Sequence, residues 1–204
     1  GAIVLWGGAS AVEGMPPYLP FLEALGQYIQ VTAPDRLRDQ VGPAASILVT
    51  LLPELAARLG EFPDEYPLPA EQARLRLFEA VGGFLMAIAA SASGGLLLTL
   101  DDLQWADAAS LDLRCHLARR CIGARALIMC AYREGEMGQN PALERALAEL
   151  NRLRALTLLT LAPLQAEEMA TLAANYLDGP VAPVVGQTLH AHSEGNPFFA
   201  EELL

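Results

Sequence analysis

The segment LLLTLDD, residues 96–102, constrains the fold of this chain more than any other part of its sequence. It is an apolar run, Leu96 to Leu100, that leads directly into two adjacent carboxylates, Asp101 and Asp102. Such a run has the length of a strand buried inside a parallel sheet. Ligands of these sheets bind just beyond the carboxyl ends of the strands. We therefore expect the two carboxylates to lie where an α/β protein carries out its chemistry. A pair of this kind suits a hydrated Mg²⁺ and an attacking water, as in nucleotide hydrolysis.

Apolar runs and helical patterns alternate along the rest of the sequence. This alternation predicts an α/β fold, with a parallel sheet, right-handed crossovers and flanking helices. We predict a core at residues 1–162 and the start of a helical lid at residues 163–204, with a proline-rich connector at residues 61–69. Strands are predicted at residues 2–6, 96–100, 126–132 and 156–161, and helices at residues 21–29, 44–59, 71–90, 108–120, 141–150, 165–176, 181–192 and 197–204.

The charged residues exclude several classes of function. All 13 basic residues are arginine, and 24 acidic residues bring the net charge to −11. The acidic balance argues against direct nucleic-acid binding by this region. The absence of lysine from these residues excludes a Schiff base, and it also excludes the lysine of a phosphate-binding loop.

The cysteines and the apolar runs bear on the cellular compartment. Cys115, Cys121 and Cys130 are an odd set without CxxC spacing, so a reducing cytoplasm fits best. No apolar run reaches membrane-spanning length, and we expect no membrane partner. The chain begins without an initiator methionine and ends in a helical pattern, so we expect both ends to have been cut from a longer protein.

The segment after the second predicted strand holds the main candidate residues. Asp101 is the candidate metal ligand, because Mg²⁺ on a nucleotide takes only one or two protein carboxylates. Asp102 is the candidate for orienting or activating the attacking water. The alternative is that the pair only caps a turn, although the QWAD sequence that follows favours a functional site. Asp107 is predicted to be the N-cap of the next helix, and Trp105 either packs the loop against the core or contacts a ligand.

Two further candidates lie later in the sequence. Arg133 follows the neighbouring predicted strand, where an arginine can reach a phosphate. Its spacing alone favours a surface arginine paired with Glu134 or Glu136. Gly195 and Pro197 precede and begin the last helix. A proline ring there can face a planar base, but spacing alone favours ordinary capping.

Three segments resemble a known family: LLLTLDDLQWAD at residues 96–107, ALIMCAYREGE at residues 126–136 and SEGNPFFAEELL at residues 193–204. They resemble the signal-transduction ATPases with numerous domains, the STAND branch of the AAA+ P-loop ATPases. The likeness is to the ATPase module of large LuxR-type transcriptional regulators, and of related proteins that carry adenylate cyclase or protein kinase domains. Residues 1–25 are also similar to the stretch that follows the phosphate loop and its helix in that family. The resemblance covers essentially the whole chain.

The resemblance implies a P-loop NTPase-like fold with ATP and Mg²⁺ as cofactors. It implies that Asp101 is the Walker B aspartate that holds Mg²⁺ and that Asp102 is the adjacent acidic residue linked to hydrolysis. Arg133 corresponds to the arginine that senses the terminal phosphate. Gly195 and Pro197 correspond to the glycine-proline element of the lid, which lies against the adenine. Sensor and output domains are implied in the same parent chain.

The chain departs from the family at the Walker A loop, whose Gly-rich turn and lysine are missing from these residues. That loop supplies the backbone N–H groups and the lysine that hold the phosphates. We expect either that the loop lies upstream in the parent protein or that the chain is a degenerate descendant. The first case predicts a regulatory ATPase module that is inactive in isolation, and the second a non-catalytic interaction module. An unrelated metal-dependent α/β enzyme ranks last, because the sequence offers no other nucleophile, base or cofactor loop.

Overall fold

The fold is described from a computed structural model, which covers residues 1–60, 62 and 67–204. Within these residues the chain divides into two compact units, Gly1–Leu156 and Thr157–Leu204. The sequence predicted the start of a lid at residue 163, whereas unit 2 begins at Thr157. The proline-rich connector predicted at residues 61–69 lies largely outside the described residues.

A parallel sheet of three strands forms the centre of unit 1 within the described residues. Its strands lie side by side in chain order, so both connections between neighbours are crossovers that contain helices. This arrangement confirms the predicted α/β class and the first three predicted strands. The strands are β1 (Ile3–Gly8), β2 (Leu96–Asp101) and β3 (Ala126–Cys130).

One face of the sheet is buried beneath helices. Leu98 and Leu100 of β2 point into this core, and each is 1% exposed. Helix α1 (Leu19–Val31) and helix α5 (Ala70–Ala90) pack near them, with the rings of Phe21 and Phe84 fully buried. Complete burial of side chains of this size stabilises a fold by about 1.5–3 kcal/mol each. The apolar core therefore holds β2 in the centre of the unit.

The opposite face of the sheet is open. Because successive side chains of a strand alternate between faces, the neighbours of the buried leucines lie here. Val4, Trp6, Leu127 and Met129 are 62%, 49%, 63% and 50% exposed. Parallel sheets are normally covered on both faces, so this surface is unusual for its class. Its two rows, given by the strand register, are Val4–Leu97–Leu127 and Trp6–Thr99–Met129.

Shorter helices complete unit 1. The predicted helix at residues 44–59 is divided near Pro53, as its proline indicated. A helix that begins at Pro34 was not predicted; proline suits the first turn of a helix as well as it ends one. The remaining helices are α2 (Pro34–Val41), α3 (Ala45–Leu51), α4 (Glu54–Leu59), α6 (Ala108–Cys121), α7 (Glu134–Met137) and α8 (Pro141–Arg152).

The fourth predicted strand, at residues 156–161, is wrong. The sequence LTLLTL has the composition of a strand, but in the described part of the chain it pairs with no neighbour and takes no regular structure. Leu158, Leu159 and Leu161 are 57%, 84% and 92% exposed. A strand needs a neighbouring strand to satisfy its backbone N–H and C=O groups. The apolar pattern alone is therefore not sufficient to form one here.

Unit 2 is a small helical bundle, in agreement with the helices predicted for this region. It contains α9 (Ala166–Tyr176), α10 (Pro183–Ser193) and α11 (Pro197–Glu202). Met169 and Leu189 lie in its core. A Cβ atom at Gly186 would lie 2.2 Å from the carbonyl oxygen of Ala166, so α9 and α10 approach each other closely at this glycine.

The described helices and the three cysteines bear on the expectations about membrane and compartment. Among the described helices, none combines the length and the apolar character that a bilayer crossing requires. Cys115, Cys121 and Cys130 are free thiols of intermediate exposure. Burial is the main cause that raises the pKa of Cys115 and of Cys121, so both thiols are held in their neutral form.

Candidate functional site

Asp101 is the last residue of β2 and lies at the carboxyl edge of the sheet. Its side chain is on the open face, because Leu100 before it points into the core. Asp101 Oδ1 accepts the backbone N–H of Asp102 at 2.8 Å, which leaves Oδ2 without a hydrogen bond from the described residues. The carbonyl oxygen of Asp101 accepts the N–H of Ala9 at 3.0 Å, and this bond ties the end of β1 to the same edge.

Asp102 turns the chain away from the sheet. Its backbone is left-handed, with φ 54° and ψ 38°, a conformation that aspartate tolerates better than most residues. It leads into a short 3₁₀ turn, Leu103–Trp105. Asp102 Oδ1 accepts a hydrogen bond from Gln104 Nε2 at 2.9 Å. The two adjacent carboxylates therefore have different environments, one on the sheet and one on the turn.

Gln104 is a buried polar residue that the sequence reasoning did not single out. The residue is 4% exposed, and its side chain bonds to Asp102 on one side. On the other side, Gln104 Oε1 accepts the backbone N–H of Arg133 at 3.2 Å. No spacing rule marks a bridging amide of this kind, because its second partner lies 29 residues away, after another strand.

Asn140 binds the same turn through its side chain, and the sequence analysis did not identify it either. Its Nδ2 donates to the carbonyl oxygens of Gln104 at 3.1 Å and Ala106 at 2.9 Å. Its Oδ1 caps α8 by accepting the N–H groups of Ala142 and Leu143. The asparagine followed by proline at the start of a predicted helix was a recognisable capping signal. Its contact with the turn after β2 was not recognisable from the sequence.

Arg133 follows β3 by a few residues, and its backbone reaches the same turn through Gln104. Its guanidinium pairs with Glu136, with Nη1 and Oε1 3.3 Å apart, and also lies over the ring of Trp105. The arginine side chain is 63% exposed. The pairing with Glu136 is the one that spacing alone favoured. Trp105 is 37% exposed and stacks on this arginine at the surface, so it is only partly packed against the core.

A shallow cavity of about 160 Å³ lies beside this turn. The loop after β1, the start of α1 and residues 105–107 line it. Pockets for small molecules usually measure about 300–1,000 Å³, so a nucleotide would need further walls.

Asp107, beside the cavity, caps α6, as predicted, by accepting the N–H of Ser110 at 3.0 Å, and it also accepts the N–H of Tyr18 at 3.2 Å. Burial is the main cause that raises the pKa of the Tyr18 phenol. Arg74 opposes this shift, and the Asp107 carboxylate adds to it.

Gly195 and Pro197 lie in unit 2. Gly195 has φ +80°, and a Cβ there would lie 2.6 Å from Pro163 Cβ, so the position favours glycine on two grounds. The carbonyl oxygen of Gly195 accepts the N–H of Leu164 at 2.8 Å. Pro197 is the first residue of α11, and Asn196 caps this helix through the N–H of Phe198. Both residues therefore have structural roles in their own unit.

The donor groups at the edge of the sheet fit a magnesium ion held by few protein ligands. Within the described part of the chain, no group of three or more His, Cys, Asp and Glu side chains is placed to hold a metal ion. Mg²⁺ on a nucleotide usually retains several waters and takes one or two carboxylates. Asp101, half-buried and with Oδ2 unpaired among the described residues, meets that requirement.

Comparison with known proteins gives one match. A family model described as "AAA ATPase domain" matches residues 2–129, which is more than half of the chain. The match includes Asp101 and Asp102, and it ends before Arg133, Gly195 and Pro197. No curated protein and no solved structure matches the chain. Membership of this family implies a module for binding and hydrolysing nucleotides. The chain belongs to the AAA ATPase domain family.

Proposed function

We propose that this chain is the larger part of an ATP-binding and ATP-hydrolysing switch module in a multidomain signalling or transcription-regulating protein. The observation that carries the proposal is the pair Asp101–Asp102 at the carboxyl end of the central strand, within the region that matches the family. The finer assignment, to the STAND branch and to LuxR-type regulators, rests on the resemblance of the three segments named above.

Each candidate residue has a distinct role in this proposal. Asp101 holds Mg²⁺, directly or through a water, with the oxygen that is unpaired in the described residues. Asp102 orients the attacking water. Arg133 leaves Glu136 and Trp105 to contact the terminal phosphate, because an arginine binds a phosphate more strongly than an exposed carboxylate or a ring. Magnesium, when bound with ATP, supplies charge neutralisation at the phosphates.

In this proposal the phosphate-binding loop is supplied by residues outside this sequence, since these 204 residues contain no lysine. The open face of the sheet supports a contribution from such outside residues. Its apolar rows need a covering layer, and Asp101 lies on the same face. We propose that one segment of the parent protein covers the rows and carries the loop to the edge where Asp101 lies. Such a segment would also supply walls that the small cavity lacks.

The lid and the neighbouring domains complete the proposal. In unit 2, Gly195 and Pro197 contact the adenine, and the nucleotide state sets the position of the lid. The lid passes that signal in the cytoplasm to an output domain of the same parent chain, which also carries a sensor domain. This region itself binds no nucleic acid, in line with its net charge of −11.

Calorimetry with Mg·ATP tests the proposal on two proteins: the isolated 204 residues and the parent protein. We expect no micromolar binding by the isolated chain and clear binding by the parent. In the parent, Asp101→Asn and Asp102→Asn are expected to lower kcat by at least about 100-fold, the range in which removal of a general base acts. The matched control is Asp112→Asn; Asp112 is an exposed residue of α6 that pairs with Arg74 of α5. Micromolar binding by the isolated chain would contradict the proposed external loop, and unchanged turnover in both site variants would contradict the ATPase.

A non-catalytic interaction module is the second candidate function. The exposed rows on the open sheet face favour it, because such a surface fits a protein partner as well as a covering segment. The parent sequence separates the two functions: a phosphate loop with its lysine favours the ATPase. A double variant, Asp101→Ala with Asp102→Ala, that leaves signalling intact favours the interaction module.

A further inference from the structure

The Gln104 side chain joins the ends of two strands. Its Nε2 donates to Asp102 Oδ1 at 2.9 Å, and its Oε1 accepts the N–H of Arg133 at 3.2 Å. The two partners define the orientation of the amide, since an ionised carboxylate only accepts and a backbone N–H only donates. The amide therefore connects the carboxylate after β2 to the backbone after β3.

The turn that carries Gln104 is held firmly, so the side chain is the adjustable part of this connection. Leu103 N–H donates to the carbonyl oxygen of Ala131 at 3.0 Å, and Asn140 binds the carbonyl oxygens of Gln104 and Ala106. The backbone bond from Leu103 to Ala131 and the glutamine amide thus both join the turn to the segment after β3, and of these two links only the amide involves the Asp102 side chain.

We propose that Gln104 is a positioning residue that couples the Asp102 carboxylate to the backbone of Arg133. When Asp102 accepts from Nε2, Oε1 faces the Arg133 N–H and holds that segment in place. When the carboxylate turns to another partner, the buried Nε2 loses its acceptor, and a buried unpaired donor is costly. The amide then reorients, and the N–H of Arg133 loses its bond. The consequence for hydrolysis rests on the proposed function, whereas the coupling is a property of this chain alone.

Amide NMR and hydrogen exchange on the 204-residue protein test the coupling without nucleotide. Asp102→Gly removes the carboxylate and keeps the left-handed backbone, which glycine adopts freely. We expect this change to shift the Arg133 amide resonance and to speed its hydrogen exchange by roughly 2- to 10-fold, the range for the loss of one hydrogen bond. Glu136→Gln, which changes a side chain paired with the Arg133 guanidinium and keeps the backbone bond between the two residues, is the matched control and is expected to leave the exchange rate unchanged.

A second background separates coupling from a merely structural role. In Gln104→Met, which removes both hydrogen bonds, a further Asp102→Gly change is expected to leave the Arg133 amide where it was. The proposal is wrong if Asp102→Gly does not move this amide in the wild-type background, or if the same shift persists in the Gln104→Met background. In the parent protein, Gln104→Met is expected to lower kcat for ATP and to leave KM within twofold. If Gln104→Met leaves kcat unchanged while the NMR coupling is present, the result counts against the proposed ATPase and not against the coupling.

Discussion

The guanidinium of Arg133 lies over the indole ring of Trp105, with 5.5 Å between the guanidinium carbon and the ring centroid. The same guanidinium is paired with Glu136, and both contacts are at the protein surface. Contacts of this kind are weak in water, about 0.5–1 kcal/mol for an exposed cation–π pair and less than about 1 kcal/mol for an exposed ion pair. Arg133 can therefore exchange them for a more strongly charged ligand.

Removal of this arginine is expected to change the surroundings of Trp105 with little effect on stability. In a Trp6→Phe background, Trp105 is the remaining tryptophan, because the chain has two. Arg133→Met is then expected to shift the fluorescence emission and to change the free energy of unfolding by less than about 1 kcal/mol. Arg152→Met, which breaks an exposed pair with Glu149, is the control and leaves the emission unchanged. Identical spectra for the two variants would show that the stacking does not exist in solution.

Loss of the Asp107 carboxylate is expected to destabilise unit 1. Asp107 caps α6 through Ser110 and holds the N–H of Tyr18, a residue 89 positions away. Asp107→Ala removes these two bonds and the one from the Ser110 hydroxyl, and it is expected to lower the free energy of unfolding by about 2 kcal/mol, measured by urea titration. Asp107→Asn keeps one oxygen acceptor in place of two and is expected to lose less stability than Asp107→Ala. Equal losses in the two variants would mean that the carboxyl oxygen has no capping role.

Two adjacent glycines in α5 are expected to respond differently to alanine. Gly83 is exposed, and a Cβ there meets nothing within 4 Å, so Gly83→Ala is expected to stabilise the helix by about 0.5–1 kcal/mol. A Cβ at Gly82 would lie 2.6 Å from Cδ of Arg120, which must then shift. Gly82→Ala is therefore expected to gain less than Gly83→Ala or to lose stability. Thermal unfolding of the pair checks the order, and a larger gain at Gly82 would contradict the packing.

His116 is expected to make unit 1 less stable in mild acid. Its ring stacks on Phe78, and burial, with a smaller effect of the positive Arg119, lowers the pKa of His116 below the ordinary value of 6.5. Nε2 lies 3.2 Å from Glu79 Oε1 but makes no hydrogen bond, so burial outweighs this carboxylate. As the pH falls, the unfolded chain takes up a proton at His116 before the folded chain does. The contribution of neutral His116 to the free energy of unfolding is therefore complete above pH 6.5 and is lost as the pH falls below it.

The measurement is the free energy of unfolding against pH for the wild type and for His116→Phe, which keeps a ring on Phe78 and does not titrate. We expect the wild type to lose more stability than the variant between pH 7 and pH 5. Between pH 7 and pH 8.5 the two curves are expected to run parallel. Parallel curves over the whole range would mean that the fold does not perturb His116.

Periodicity was sufficient for the parts of the fold that bury their apolar residues locally. The strands at Ile3–Gly8 and Leu96–Asp101 and the long helix Ala70–Ala90 were predicted to within a few residues, because each presents apolar side chains to one core. The segment at residues 156–161 has an equally apolar pattern but forms no strand. Its pairing depends on a neighbour, and a sequence pattern carries no information about whether that neighbour is present.

Some residues of the candidate site could likewise be predicted from the sequence, and others could not. Asp101 and Asp102 were predicted from what precedes them, since a buried strand determines where the next residues emerge. Gln104 and Asn140 were not, because their partners lie 29 and 36 residues away on other elements. Hydrogen bonds between distant loops depend on how strands align, and only the folded chain specifies that alignment.

The open face of the sheet joins two demands on a single surface. Along the strands, the row that begins with Val4 is followed by the row that begins with Trp6 and then by Gly8 and Asp101 at the carboxyl edge, so the apolar surface adjoins the candidate metal ligand. Apolar surface that stays exposed makes a protein prone to aggregate. A substitution on this face near the ends of β1 and β2 is therefore expected to change the solubility of the protein and the surroundings of Asp101 together.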